Sequence, residues 1–375
     1  MERKSMRITA EERTEIVDQV CDNTLFSASA RQGLKPWVSQ LAPATASYYF
    51  ETRLGASRDK DDLDLLVCVP TYKRETFADT IQQLPQWSPL ERFCKLWARN
   101  DSLVNRFSSS IWLEVDGIHQ FSNNTAIKHS IPSLSTCIVP DYQQIDHFLE
   151  YEDKVVANRV QLAPVRLDVE MIKEVNGVIF PFNSLKRLDA KWDDLQRVAS
   201  QLPQQSKIIH ISFMTGRIPA ALKLYVMIPR GGFVEFLKTS GWQGDFNHIA
   251  QVLESYCPQT RVGEELYVDI TLDEYSVEGG SRLGLTFTPQ HLVNSDEKQA
   301  GREPLLQELI AADMVTPEQS NELQNWPGQR KIKLSEDSWP AKVSQWLDVK
   351  LVLEKNKDPY AKAYLGMSMT PAAFG

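Results

Sequence analysis

Two short segments with a Lys-x-Tyr pattern carry the residues best suited to chemistry in this chain of 375 residues. One segment reads ALKLYV and contains Lys223 and Tyr225, and the other reads PYAKAYL and contains Tyr360, Lys362 and Tyr364. Because side chains alternate between the two faces of a β-strand, the lysine and tyrosines of each segment share one face, opposite an apolar face. Ammonium and phenol groups arranged in this way suit a pocket for an anionic ligand.

The composition is that of an ordinary globular protein, with 42% hydrophobic and 24% charged residues. A net charge of −8 and the lack of an extended basic run argue against nucleic-acid binding. No apolar stretch approaches the roughly 20 residues of a membrane span, and the start, MERKSMRITAEER, lacks a signal-peptide core. The five cysteines are scattered, which argues against a zinc site and a disulfide framework. We therefore expect a cytoplasmic protein.

Five pairs of strand-like segments, most of them followed by helical patterns, organise the chain. The pairs are Ser47–Leu54 with Asp62–Val69, Ser110–Ile118 with Leu134–Val139, Lys207–Met214 with Ala221–Ile228, Glu265–Asp273 with Arg282–Thr288, and Ser344–Glu354 with Tyr360–Met367. Helical patterns cover about 74–107, 144–160, 186–202, 232–256, 303–312 and 317–326, and 164–171 is a candidate extra strand. Short turns within the pairs predict antiparallel pairing.

The two faces of the predicted strands differ in chemistry, and two folds are compatible with that difference. One is an open α+β sheet covered by helices on one side, and the other is a closed antiparallel barrel with helices outside. The polar face mixes aromatic rings, carboxylates and cations, which suits the wet interior of a ligand-holding barrel. The polar-face residues of most interest are Tyr49, Glu51, Arg53, Asp64, Trp112, His210, Lys223, Tyr225, Tyr267, Asp269, Arg282, Lys350, Lys362 and Tyr364.

The order of elements and a few strand motifs resemble the aromatic prenyltransferases of the dimethylallyltryptophan synthase type, whose fold is the ABBA barrel. In residues, the likeness rests on Lys223 and Tyr225 in the sixth predicted strand, on Tyr360 and Tyr364 in the last, and on Glu51 in YYFETRLG. The resemblance implies an α+β fold in which a ten-stranded antiparallel β-barrel, built from repeated ββα units, is surrounded by α-helices. It further implies a single barrel domain over residues 44–370, with an N-terminal helical segment, residues 1–43, packed on it.

The resemblance also implies a function, namely metal-independent transfer of an allylic prenyl group from a diphosphate donor to an indole, a phenol or a peptide side chain in natural-product biosynthesis. The catalytic carboxylate would be Glu51. The diphosphate would be bound by Lys223, Tyr225, Lys350, Tyr360, Lys362, Tyr364, Arg53 and Arg282, and the acceptor would contact Trp112, His210 and Tyr267. The prenyl diphosphate is a co-substrate in this scheme, and no metal or other cofactor is expected.

Several positions depart from the family's pattern. The family's second strand supplies an arginine, its fourth a Lys-x-Tyr pair, its sixth a further basic residue and its eighth a polar-x-Tyr pair. The residues found here are, in that order, Asp64; Ser135 and Cys137; Ala221; and Arg282 and Thr286. About half of the expected anion-binding set is therefore missing. The second hypothesis is accordingly a non-prenylating barrel that binds a peptide or a partner protein in natural-product biosynthesis, with the oligomeric state left open.

Overall fold

A computed structural model describes residues 8–56, 62–84, 87–102, 104–105, 108–118, 133–138, 189–214, 221–256, 265–272, 282–287, 295–336, 338–354 and 357–372. The α-helices within these ranges are α1 Ala10–Val20, α2 Ala28–Leu41, α3 Arg74–Gln82, α4 Ser88–Ala98, α5 Asp189–Ser200, α6 Arg230–Thr239, α7 Phe246–Tyr256, α8 Ser295–Ala311 and α9 Pro317–Asn325. The strands are β1 Ser47–Arg53, β2 Leu63–Pro70, β3 Ser108–Val115, β4 Ser133–Ile138, β5 Lys207–Met214, β6 Ala221–Pro229, β7 Glu265–Thr271, β8 Leu283–Phe287, β9 Gly328–Ile332, β10 Ala341–Leu353 and β11 Tyr360–Pro371.

Ten of these strands close into an antiparallel barrel. Neighbours in sequence pair from β1 to β8, β8 then pairs with β10, β10 with β11, and β11 with β1. The predicted ten-stranded barrel is therefore confirmed, and the open-sheet alternative is wrong because β1 has a partner on both sides. Strand β9 was not predicted, and it pairs with β10 outside the closed ring.

The outer face of the barrel is apolar and carries the helices. On β2 and β3 the outward side chains Leu65, Val67, Ile111 and Leu113 are completely buried. Helices α2 and α3 contact β2, while α6 contacts β6 and β7. Burying each such side chain contributes about 1.5–3 kcal/mol, so packing between the barrel and its helices stabilises the fold.

The predicted helices are found, although several bounds differ. The pattern at 74–107 contains two helices, because α3 ends at Gln82 and α4 begins at Ser88. The pattern at 232–256 also contains two, because Gly241, with a φ of 84°, follows the end of α6. Helix α8 begins at Ser295, earlier than the predicted 303. The predictions at 144–160 and 164–171 lie outside the described residues.

One helix cap connects the barrel to its outer layer. Thr316 accepts a hydrogen bond from the backbone of Gln319 at the start of α9, and Pro317 follows it in the first turn. The Gln319 side chain also accepts a 2.9 Å hydrogen bond from the backbone N–H of Gly55, the residue after Leu54. Because Gly55 has a φ of 100°, this position favours glycine. The cap thereby fixes the chain immediately after β1.

Strand register defines which side chains face the interior. On β1, Tyr49 lies opposite Gly366 of β11, while Glu51 lies opposite Tyr364 of β11 and Asp64 of β2. The pattern continues around the barrel through Trp112, Ser212, Lys223, Thr271, Tyr225, Asp269, Gly284, Thr286, Lys350 and Lys362. In the described residues, no helix is long and apolar enough to cross a membrane.

Candidate active site in the barrel interior

Glu51 and Lys362 form an ion pair between neighbouring strands. Lys362 Nζ donates to Glu51 Oε1, and the side chains are 18% and 5% exposed. Burial by itself would raise the pKa of Glu51, but the charges of Lys362, Lys350 and Lys223 outweigh burial and hold that pKa well below its usual range. The Glu51 and Asp64 charges likewise overcome the burial that would lower the pKa of Lys362, and they raise it. Both groups are therefore charged at neutral pH.

A tyrosine links this pair to a second lysine. Lys350 Nζ donates a 2.6 Å hydrogen bond to the Tyr364 hydroxyl, and Lys350 also lies over the Tyr364 ring at 4.3 Å from its centre. The Tyr364 hydroxyl in turn hydrogen-bonds to Glu51, and burial followed by the charge of Glu51 raises its pKa well above the usual value. Tyr364 therefore remains a neutral phenol that connects the two sides of the cluster.

One carboxylate contacts two lysines on different strands. Asp269 on β7 forms ion pairs with Lys350 on β10 and, at 3.5 Å, with Lys223 on β6. Strand β8 lies between β7 and β10, and its Gly284 is the register partner of Asp269 and lies directly beside the Lys350 side chain. Burial would raise the pKa of Asp269, but Lys223 and Lys350 lower it. Burial and the charge of Lys223 lower the pKa of Lys350, with Asp269 acting in the opposite direction.

Three rings line the wall formed by β5, β6 and β7. The His210 and Tyr225 ring centres are 5.0 Å apart, and those of Tyr225 and Tyr267 are 6.0 Å apart. Burial raises the pKa of Tyr225 well above its ordinary value. Two residues predicted to contact the acceptor, His210 and Tyr267, thus lie on either side of Tyr225, which was predicted to bind the diphosphate.

A second aromatic group, which contains a residue that sequence reasoning missed, lies around β1. Tyr49 is 5.3 Å from Trp112, 5.5 Å from Trp346 and 6.5 Å from Tyr364, measured between ring centres. The Trp346 indole covers Gly366, where a Cβ atom would lie 2.0 Å from Nε1. Trp346 has the same parity in β10 as the inward-facing Asp348 and Lys350, and that alternation is the signal in the sequence that could have identified it.

The three remaining predicted ligands lie at one end of the barrel. Arg53 at the end of β1 covers the Tyr360 ring at 4.2 Å, and the Arg282 guanidinium donates a 3.2 Å hydrogen bond to the Tyr360 hydroxyl. Arg282 also lies 3.7 Å from Glu354. These cations therefore form a rim around Tyr360, whereas Lys223, Lys350 and Lys362 lie deeper in the barrel.

Two further interior carboxylates have raised pKa values. Burial, together with the charge of Glu51, raises the pKa of Asp64 to about 8, and Asp64 Oδ1 accepts a 2.7 Å hydrogen bond from the Gly117 backbone. Burial raises the pKa of Asp348 to about 7, partly offset by a hydrogen bond from Tyr49. Asp64 stands where the family carries an arginine, so this wall holds a carboxyl group in place of a cation. Within the described part of the chain, no three His, Cys, Asp or Glu side chains are grouped so as to hold a metal ion.

The interior therefore combines three buried lysines with neutral phenols, the carboxylates of Glu51 and Asp269, and two aromatic groups. The lysines can bind an anion, the phenols can donate hydrogen bonds to it, and the rings can shield a cation from water. The carboxylate of Glu51 can accept a hydrogen bond from a ring N–H or O–H. Such a site suits a reaction in which positive charge develops on one substrate while an anion leaves the other.

Comparison with known proteins supports the fold. No family model and no curated protein sequence matches the chain. Among solved structures, the crystal structure of AnaPT from Neosartorya fischeri matches 98% of this chain and 94% of its own, with a TM-score of 0.50 and 11% sequence identity. At that identity, the likeness shows that the two chains share a fold, the helix-covered antiparallel barrel of the ABBA type.

Proposed function

We propose that the protein is an aromatic prenyltransferase-like enzyme that transfers an allylic prenyl group from a diphosphate to an aromatic acceptor inside the barrel. The observation that carries this proposal is the convergence of Lys223, Lys350 and Lys362 beside Tyr364 and Glu51 in a buried interior. The structural neighbour AnaPT is an ABBA prenyltransferase, and that relationship supports the same class of reaction here.

In this proposal the lysines bind the donor and stabilise the leaving group. Ionisation of an allylic diphosphate breaks the bond between carbon and oxygen and leaves an allylic cation beside a diphosphate anion. The ammonium groups of Lys223, Lys350 and Lys362 stabilise the anion as its charge increases, and the Tyr225 hydroxyl donates to it. At the rim, Arg53, Arg282 and Tyr360 complete the diphosphate site.

The rings then protect the cation and hold the acceptor. Tyr364 and Tyr49 present ring faces that stabilise a carbocation and exclude water from it. Trp112, His210 and Tyr267 contact the aromatic acceptor in this scheme. Attack by the acceptor on the allylic cation forms the bond between the acceptor and the prenyl carbon. The acceptor then loses a proton to restore its aromatic system.

Glu51 is the proposed catalytic carboxylate. Its pKa is held below the ordinary range by the lysines, so it is ionised when the acceptor binds. A carboxylate of this kind is a weak base, and its main contribution is a hydrogen bond that strengthens as the acceptor becomes positively charged. The proton passes to Glu51 or to water after the bond has formed.

A second function, a non-prenylating barrel that binds a peptide or a partner protein, is favoured by one observation. Every buried lysine of the site already contacts a carboxylate or a phenol, and Asp64 replaces a cation. These carboxylates weaken the attraction of the interior for a diphosphate. A barrel with this charge distribution could retain the scaffold and bind a neutral or zwitterionic peptide.

Product formation separates the two functions. The purified protein is incubated with dimethylallyl, geranyl or farnesyl diphosphate and with indole, phenol and aromatic-peptide acceptors, and products are detected by mass spectrometry. We expect acceptors that gain one prenyl group in place of one hydrogen. The double variant Lys223→Ala/Lys362→Ala should lose the product, whereas the surface control Lys95→Ala/Lys238→Ala should keep it. Equal product from both variants would exclude the proposed role of the lysines.

A further inference from the structure

Asp269 occupies a position between two of the proposed diphosphate ligands. One of its carboxylate oxygens faces Lys223 on β6 at 3.5 Å, and the other faces Lys350 on β10. Its side chain and that of Lys350 are each 9% exposed, so neither charge is well solvated. The two lysines come from strands that are not neighbours in the sheet. A single anion between them is the feature that brings their ammonium groups to the same place.

The environment of Lys350 requires such an anion. Burial favours the neutral amine, and the nearby cation Lys223 adds to that effect. Asp269 and, more weakly, Glu51 oppose it. The charged or titratable groups that face Lys350 are Lys223 on β6, Asp269 on β7, Asp348 on β10, Lys362 and Tyr364 on β11, and Glu51 on β1. With Asp269, three lysines of this group face two carboxylates of lowered pKa, Glu51 and Asp269, and without it Glu51 alone would remain.

Gly284 makes the bridge sterically feasible. A Cβ atom at this position would lie 3.0 Å from Lys350 Cδ and 3.2 Å from Asp269 Cβ. Any larger residue on β8 would therefore stand between the two side chains. The glycine leaves room for Lys350 to cross β8 and reach the carboxylate.

We propose that Asp269 is a positioning residue that holds Lys223 and Lys350 side by side in their charged forms, so that they can bind the diphosphate together. This inference rests on the proposed function and adds a residue to it. Asp269 does not touch the donor in this scheme, because it acts through the two lysines. Asp269 carries one negative charge and the two lysines together carry two positive charges, so these three side chains still have a net positive charge that can attract the diphosphate.

The direction in which one substitution changes the affinity for pyrophosphate tests the proposal. In Asp269→Asn, isothermal titration calorimetry with inorganic pyrophosphate should show binding weaker by about tenfold, because the two ammonium groups are no longer held together beside the anion. If Asp269 merely competed with the anion, the same variant would bind pyrophosphate more tightly, and that result would overturn the proposal. The control Asp64→Asn replaces an interior carboxyl group that does not contact Lys350, and its affinity for pyrophosphate should not fall.

A second measurement does not depend on the proposed function. The pKa of Lys350 is measured by NMR on protein labelled with [15N]lysine, with the signal assigned by Lys350→Met. In Asp269→Asn the pKa should fall by about one unit or more, and in Asp64→Asn by much less. An unchanged or higher pKa in Asp269→Asn would overturn the proposal. If the unchanged protein bound no pyrophosphate, the proposed function would fail, and the NMR titration alone would decide the role of Asp269.

Discussion

Lys350 on β10 forms its ion pair with Asp269 on β7 by crossing β8, the strand that separates them. Gly284 lies at the crossing point, and the same carboxylate also contacts Lys223 on β6. The buried charges of three strands therefore form one group, and the backbone of a fourth strand determines whether they can meet. Several consequences can be measured by unfolding and binding experiments.

The variant Gly284→Ala should be destabilised. Its Cβ atom would come closer to Lys350 and Asp269 than ordinary packing allows, so one of the side chains must move. Overpacking of this kind costs about 1–3 kcal/mol, and we expect that loss in urea unfolding. The matched control is Gly231→Ala in α6, where a Cβ atom meets nothing within 4 Å. The stability of that control should be unchanged or slightly higher. An equal loss of stability in both variants would contradict the steric account.

Removing Lys362 alone should lower the stability of the protein more than removing both members of its ion pair with Glu51. Lys362→Met leaves the buried Glu51 without its closest cation, and loss of one partner of a buried pair costs about 3–5 kcal/mol. The double variant Glu51→Gln/Lys362→Met leaves no charge behind at these two positions and should regain a large part of that loss. Denaturant unfolding of the two variants gives the comparison. A double variant no more stable than Lys362→Met would show that the loss does not come from an unpaired charge on Glu51.

Asp64 should make the protein less stable as the pH rises. Its folded pKa of about 8 lies above the value of about 3.9 for an unfolded aspartate, so the folded state binds the proton more tightly. Between about pH 4 and about pH 8, this group therefore lowers the free energy of unfolding by up to about 1.4 kcal/mol per pH unit. The contribution is absent below that window and constant above it.

The measurement is urea unfolding between about pH 5 and about pH 8, the range in which Asp64 titrates. Asp64→Asn should lose stability less steeply with pH than the unchanged protein. The exposed control Asp313→Asn keeps a residue type that tolerates the φ of 56° found there, and its slope should match that of the unchanged protein. Identical slopes for all three proteins would mean that Asp64 is ionised in the folded state.

Trp346 and Gly366 should be energetically coupled. In Gly366→Ala the new methyl group would overlap the indole, which must then leave its place beside Tyr49. Removing the ring first, in Trp346→Ala, makes room for the methyl group. The double variant should therefore lose less stability than the sum of the single variants, by about 1 kcal/mol or more. Additive losses would indicate that the indole does not cover Gly366.

The barrel could be predicted because its two faces differ so clearly in sequence. Alternation of Val268 and Ile270 with Tyr267, Asp269 and Thr271 is one of the patterns that identified the outward face, and short turns specified antiparallel pairs. Strand β9 was not predicted because its residues, GQRKI, are almost entirely exposed and show no apolar alternation. The predicted helix bounds differ from the observed ones where one residue ends a helix, as Gly241 does after α6.

The interior residues were predicted in part. Lys223, Tyr225, Lys362 and Tyr364 were visible as motifs on single strands. Asp269 was placed on the polar face but given no role, and Gly284 was not singled out, because their significance depends on a contact across an intervening strand that no local pattern records. The charge state of Asp64 was likewise inaccessible, since it results from burial beside Glu51 on another strand.

The most direct test of the central claim is a thermal-shift assay with dimethylallyl, geranyl and farnesyl diphosphates. At 100 times its dissociation constant, a bound ligand adds about 2.7 kcal/mol of stability, which raises the melting temperature measurably. We predict such a rise for the unchanged protein and for Lys95→Ala/Lys238→Ala, and its loss in Lys223→Ala/Lys362→Ala. No rise with any of the three diphosphates, or the same rise in all three proteins, would contradict a diphosphate site built on the interior lysines.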